Sequence, residues 1–130
     1  MVSKEEMLAI IPEVIRAIGS YDTTTVRASV GNYLVCKKIR EANECTYLFN
    51  GDGADELMGG YLYMNRAPDE RAFDSECRRL LNHIHAFDVL RSDRSIAGNG
   101  LAPRTPYLDI QFVRSYLTIP SQIRYQAHQQ

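Results

Sequence analysis

Cys45-Thr46-Tyr47-Leu48-Phe49-Asn50-Gly51-Asp52-Gly53-Ala54-Asp55-Glu56-Leu57-Met58-Gly59-Gly60 sets a short apolar run directly before an acidic, glycine-rich one. Residues 45–49 read as a strand, apolar at nearly every position, as in a parallel strand buried on both faces. The eleven residues that follow hold three carboxylates and four glycines, the composition of a tight turn. Glycine lets the backbone take positive φ and lets a ligand approach closely, while Asp52, Asp55 and Glu56 offer oxygen ligands to a hard cation such as Mg²⁺. Open α/β sheets bind ligands at the carboxyl ends of their strands, so this turn is the candidate site.

Helical patterns flank the strand. Ser3-Lys4-Glu5-Glu6 fits a capping box, and Leu8, Ile11, Ile15 and Ile18 follow at helical steps, predicting a helix over about residues 4–18 that Gly19 ends. A threonine of Thr23-Thr24-Thr25 can cap a second helix carrying Val26, Val30, Tyr33 and Leu34 and ending near Glu41. Pro68-Asp69-Glu70 opens a third, whose Phe73, Cys77, Leu80, Ile84 and Phe87 give the clearest periodicity in the chain. Residues 95–106, with Gly98, Gly100, Pro103 and Pro106, are expected to be irregular; Asp109 then caps a short helix with Phe112, Val113, Tyr116 and Leu117, and a polar tail from Ser121 to Gln130 is expected to fray. No repeat, low-complexity linker or internal domain boundary is visible.

Composition is that of an ordinary soluble domain: 130 residues, 45% hydrophobic and 24% charged. Fifteen basic and sixteen acidic side chains nearly cancel, which gives no nucleic-acid footprint. Arg27, Arg91, Arg94 and Arg104 are surface arginines or forks suited to phosphate and carboxylate. Cys36, Cys45 and Cys77 match no zinc or redox spacing and are read as reduced and buried. His83 and His85, alternate residues, do not share a helix face and are not read as metal ligands. No apolar run reaches the roughly 18 residues of a membrane span and no signal-peptide core is present, so no membrane association and a cytoplasmic location are expected.

The acidic turn with Tyr61-Leu62-Tyr63 resembles the S-G-E-G-x-D-E-x-x-G-G-Y signature in the synthetase domain of glutamine-hydrolysing asparagine synthetases. Tyr21-Asp22-Thr23-Thr24-Thr25-Val26-Arg27-Ala28-Ser29 is similar to that family's Y-D-x-T-T-x-R-A-S segment, and Pro103-Arg104-Thr105-Pro106-Tyr107-Leu108-Asp109 to its A-R-V-P-F-L-D segment. A lone buried strand with four or five helices needs neighbours. The resemblance supplies them: it implies an α/β chain, the mainly helical portion of a doubly wound parallel-sheet domain of the ATP-pyrophosphatase (adenine-nucleotide alpha-hydrolase-like) fold, with the other strands encoded upstream. Without such partners, residues 45–49 would expose strand edges and favour aggregation.

The resemblance implies asparagine biosynthesis. The enzyme adenylates the side-chain carboxylate of aspartate with ATP and Mg²⁺, and ammonia, made from glutamine by an amino-terminal glutaminase domain, then displaces AMP. Asp55 matches a Mg²⁺ and pyrophosphate contact, its other reading being a solvated turn aspartate. Asp52 stands where the family has a glutamate that works on ammonia and the adenylate; its reach is one methylene shorter. Asn50 replaces a serine, while Gly51 and Gly53 match nucleotide-side glycines. Thr24, Thr25 and Arg27 match contacts to phosphate or the intermediate, with helix capping the alternative for the threonines. Asp88 and Arg91 match substrate-pocket residues or form an interhelical ion pair. Arg104 matches its counterpart in a loop whose preceding residues, Ala102 and Pro103, differ.

Nowhere in the chain is there an S-G-G-x-D-S ATP loop, a cysteine at the second position, or the family's downstream lysine. The resemblance therefore covers part of the synthetase domain, and the chain alone is not expected to catalyse the full reaction. Two other readings remain at this stage: a related adenylating, amide-forming enzyme of the β-lactam synthetase kind, and a remnant without turnover.

Overall fold

The computed structural model describes residues 2–42 and 45–125. Its elements run α1 (Lys4–Ala9), α2 (Ile11–Ile18), α3 (Thr23–Ala42), β1 (Tyr47–Phe49), α4 (Ala54–Met58), α5 (Glu70–His83), α6 (Asp88–Ala97), β2 (Ala102–Arg104), α7 (Ile110–Leu117) and α8 (Ser121–Arg124), with 3-10 turns at Leu62–Arg66, Ile84–Ala86 and Pro106–Leu108. The backbone divides into two compact units that interleave in sequence. One holds the chain up to Phe49 together with Phe87–Arg104; the other holds Asn50–Ala86 and the chain from Thr105 onward. No linker composition marks them.

In the first unit the capping box forms as expected: Ser3 Oγ accepts the Glu6 N–H at 3.1 Å and Glu6 Oε2 accepts the Ser3 N–H at 2.7 Å. The single helix expected over 4–18 is instead two, broken at Ile10. Pro12 is the cause, since it has no N–H to give the Leu8 carbonyl and its ring crowds that carbonyl. Gly19, at φ 64°, ends α2 as expected. Val14 and Ile18 pack on Val26, Val30 and Tyr33 of α3. α6 lies against the same pair: a Cβ on Gly98 would come within 2.9 Å of Ala17 Cβ, and Asn99 Nδ2 donates to the Tyr33 carbonyl at 3.3 Å. The Arg94 guanidinium donates to the Ile18 carbonyl at the end of α2.

The expected buried strand is shorter and more open than its apolar run suggests. β1 spans three residues, with Tyr47 56% and Phe49 72% exposed. Of these three residues Leu48 joins the Cys36, Ile96 and Leu101 cluster, with Cys45 just before the strand, so one face of the sheet is covered. Nor is the strand alone, and residues 95–106 are irregular only in part: α6 continues to Ala97 and, after the turn at 98–101, β2 pairs in parallel with β1, Tyr47 opposite Ala102 and Phe49 opposite Arg104. Ala102 N–H donates to the Thr46 carbonyl at 2.7 Å. Pro103 sits in β2 because a strand at a sheet edge needs no N–H on its outer side. Among the described residues the sheet has two strands, which makes this chain α/β and mostly helical.

In the second unit Asp69 caps α5, accepting from Arg71 and Ala72 N–H at 3.0 and 2.8 Å, so Pro68 precedes the cap rather than lying in the first turn. Phe73, Cys77 and Leu80 are buried along α5, but the helix ends at His83 and Ile84 is buried from a 3-10 turn. Asp109 caps α7 through Gln111 and Phe112 N–H. The expected fraying from Ser121 is not found up to Tyr125. The Arg124 side chain, 3% exposed, pairs with Asp74, and Tyr125 Oη donates to the Ala67 carbonyl at 2.6 Å. Residues 126–130, also part of that expectation, lie outside the described residues. No helix among the described residues is long and apolar enough to cross a membrane.

Two glycines separate backbone from packing effects. Gly59 has φ 74° and a Cβ there would fall on the Phe73 ring, whereas Gly31, inside α3, faces open space. Gly59→Ala is expected to destabilise by about 2 kcal/mol or more and Gly31→Ala to stabilise by about 0.5–1 kcal/mol, read by denaturant unfolding. Hydrogen bonds from Arg79 and Tyr63 hold Glu76 down to about 2. Its folded value lies below its unfolded one, so its contribution is present above the ordinary glutamate range and is lost as pH falls toward 2. Glu76→Gln should flatten the acid limb of the stability curve in that window.

Candidate active site

The acidic turn belongs to the second unit. Asn50 Oδ1 accepts the Asp52 N–H at 3.2 Å, and Ala54 N–H reaches the Gly51 carbonyl at 3.3 Å. Gly53 opens α4 in the left-handed region at φ 88°. A Cβ at Gly53 would fall on the Leu108 side chain, so the turn and the Pro106–Leu108 segment, both parts of the family-like motifs, pack together. Gly51 is exposed, Asp52 half-buried and Gly53 buried.

The three carboxylates have different environments. Asp55 is exposed, and its carboxylate occupies the space where a side chain at Gly60 would lie. Glu56, 3% exposed, accepts the Tyr61 hydroxyl at 2.5 Å and points away from solvent, so of the three expected oxygen ligands it is the one the fold withdraws. Burial, and then the Glu56 hydrogen bond, push the Tyr61 hydroxyl above its ordinary range. Among the described residues no three of His, Cys, Asp and Glu gather as a ready-made metal site.

The remaining residues belong to the first unit. The cap of α3 is not a threonine: Asp22 Oδ2 accepts the Thr25 N–H at 2.7 Å and the Thr25 hydroxyl at 2.8 Å. An aspartate accepts two hydrogens through one carboxylate where a threonine accepts through a single hydroxyl, and these bonds hold Asp22 below its ordinary range. Thr25 thus spends its donor inside the protein, whereas Thr24 and Arg27 are exposed. Arg27 stands at the rim of a groove of about 490 Å³ floored by Leu8, Ile11 and Ile15. Asp88 and Arg91 form an ion pair, within the first turn of α6 rather than between helices. Arg104 lies over the Tyr47 ring with its Cζ 4.6 Å from the centroid, and its Nη1 donates to the Pro103 carbonyl at 2.9 Å.

Sequence reasoning missed Tyr61, Leu108, Asp22 and Tyr47 as neighbours of the candidate residues. Asp22, three places before Thr25, was open to detection as a cap. Tyr61 lies five places from Glu56, while Leu108 and Tyr47 touch the candidate residues only through tertiary contact.

A sequence model of the asparagine synthase family matches residues 1–75 and 65–130. The chain is similar to the glutamine-hydrolysing asparagine synthetases of Gallus gallus, Bos taurus and Homo sapiens, at 44% identity over 122 residues, 94% of this chain. It spans 22% of the length of these relatives.

The cap assignment predicts that Asp22→Ala speeds amide exchange at Thr24–Val26 and lowers the melting temperature, while Thr23→Ala changes neither. The Asp22 contribution is present above the ordinary aspartate range and fades as pH falls through its lowered folded value.

Proposed function

Because the chain belongs to the asparagine synthase family, we propose that it is the part of a glutamine-dependent asparagine synthetase that carries the acidic turn for ATP-dependent amidation of aspartate. The observation that carries this reading is the pairing of an exposed Asp55 with a glycine, Gly60, whose missing side chain makes room for its carboxylate. Mg²⁺ takes one or two carboxylates together with substrate phosphate oxygens rather than an all-protein cage. A single accessible carboxylate fits that need, and Asp55 would hold the ion; bound there it would offset charge on the pyrophosphate leaving group.

In the proposed reaction a side-chain carboxylate oxygen of aspartate attacks the α-phosphorus of ATP and pyrophosphate leaves. The nitrogen of ammonia then attacks the acyl carbon, AMP leaves with the C–O bond electrons, and the nitrogen gives up a proton. Arg27 supplies cationic charge opposite developing negative charge. Asp52, half-buried and steadied by the Asn50 turn, accepts the ammonia proton. Gly51 and Gly53 let the backbone approach the nucleotide, and Thr24 donates to phosphate; Thr25 follows once its hydroxyl turns from Asp22. Asp88, Arg91 and Arg104 serve the amino-acid substrate, each arginine exchanging its present partner for a substrate carboxylate. The remainder of the synthetase, with the ATP loop and the glutaminase domain, is the proposed partner.

Replacing the matched stretch of the Gallus gallus relative with this chain tests the reading. The chimera should release pyrophosphate from ATP only when aspartate is present, and Asp55→Asn should lower that rate about a hundredfold or more. A correctly folded chimera that releases none, or an Asp55→Asn variant as fast as its parent, would overturn it.

A further inference from the structure

Asp55 and Glu56 are consecutive in α4, and Gly60 and Tyr61 are consecutive in the strand of chain that returns across it. These two dipeptides are clamped to one another. The Asp55 carbonyl accepts the N–H of both Gly59 and Gly60, at 2.8 and 3.0 Å, and the Tyr61 hydroxyl donates to Glu56 at 2.5 Å. Glu56 is 3% exposed, so its carboxyl group draws on protein donors rather than on water. Between the two sets of bonds, the Asp55 carboxylate rests on the bare Cα of Gly60.

We propose that Tyr61 is a positioning residue for Asp55: by holding Glu56 it keeps Gly60 seated under the Asp55 carboxylate and so sets the affinity of that carboxylate for a divalent cation. The proposal rests on the reading of Asp55 as a Mg²⁺ contact. A carboxylate on a helix of five residues has several rotamers open to solvent. Holding Gly60 close selects the one that lies along the returning chain, and a ligand whose rotamer is preset loses less freedom on binding. The tyrosine needs only its proton-bearing oxygen for this, which a tyrosine keeps at neutral pH.

The test uses Mn²⁺ as the probe, titrated into the isotope-labelled chain with inorganic pyrophosphate present, and reads paramagnetic broadening of the Asp55–Gly60 amides. Wild type should show saturable broadening that Asp55→Asn abolishes. Tyr61→Phe should weaken Mn²⁺ binding about tenfold, the scale of losing a group that orients a metal ligand, with faster amide exchange at Gly60 and a lowered melting temperature, since the buried Glu56 carboxylate loses its donor. Glu56→Gln keeps an acceptor oxygen for the hydroxyl and should retain wild-type affinity; Glu56→Ala cuts the link from the other side and should repeat the tenfold loss, which keeps the test open if Tyr61→Phe folds poorly. Wild-type affinity in Tyr61→Phe and Glu56→Ala, with Asp55→Asn still abolishing broadening, would overturn the role of Tyr61 and leave that of Asp55 standing. Broadening that ignores Asp55→Asn would overturn both.

Discussion

A five-residue helix bracketed by two left-handed glycines is the constraint on which the acidic turn depends. Gly53 at φ 88° and Gly59 at φ 74° let the chain enter and leave α4 within little more than one helical turn. An L side chain would meet a backbone penalty at either place, and would collide with Leu108 at the first and Phe73 at the second. The sharp exit after Met58 brings Gly60 and Tyr61 back across Asp55 and Glu56. Two adjacent carboxylates consequently acquire opposite characters, Asp55 facing solvent and Glu56 buried under a tyrosine hydroxyl. A longer helix without that return would leave both as ordinary surface charges.

In the first unit several charged side chains of the matched segments are already engaged with neighbours. Asp22 holds Thr25, Asp88 holds Arg91, and Arg104 rests on Tyr47. Each contact is local or crosses one strand pair, and each orients its group before any ligand arrives. Thr24 and Arg27, at the start of α3, face solvent.

Local chemistry made much of the fold readable. The Ser3 capping box, Gly19 and the Asp109 cap concern hydrogen bonds spanning three or four residues, and all three stand where the pattern put them. The period of Phe73, Cys77 and Leu80 likewise needs only one buried helix face. The failures have physical reasons. Leu8, Ile11 and Ile15 keep helical spacing past Ile10 and Pro12, but spacing carries no account of a missing N–H. β2 lies among glycines and prolines whose local preference is for turns, and Gly98 and Gly100 among them follow directly on the end of α6 at Ala97. What stabilises the two elements is non-local: Gly98 against Ala17, Asn99 on the Tyr33 carbonyl, and β1 alongside β2. Arg124 and Tyr125 read as polar tail until Asp74 and Ala67 offer them partners.

By itself the sequence determined the family, the Ser3 and Asp109 caps, the main amphipathic faces and the place of the acidic turn, because each is written in residue types a few positions apart. Only the tertiary structure decided which carboxylate of that turn meets solvent, where β1 finds its partner, and which charges are spent on neighbours. The pairing of β1 turns on segments distant along the chain, Tyr47 with Arg104 among them, while the fates of the carboxylates and the spent charges turn on rotamers and burial that residue type alone does not state. A side chain's type states what it can do, and its neighbours in space decide which of those things it does.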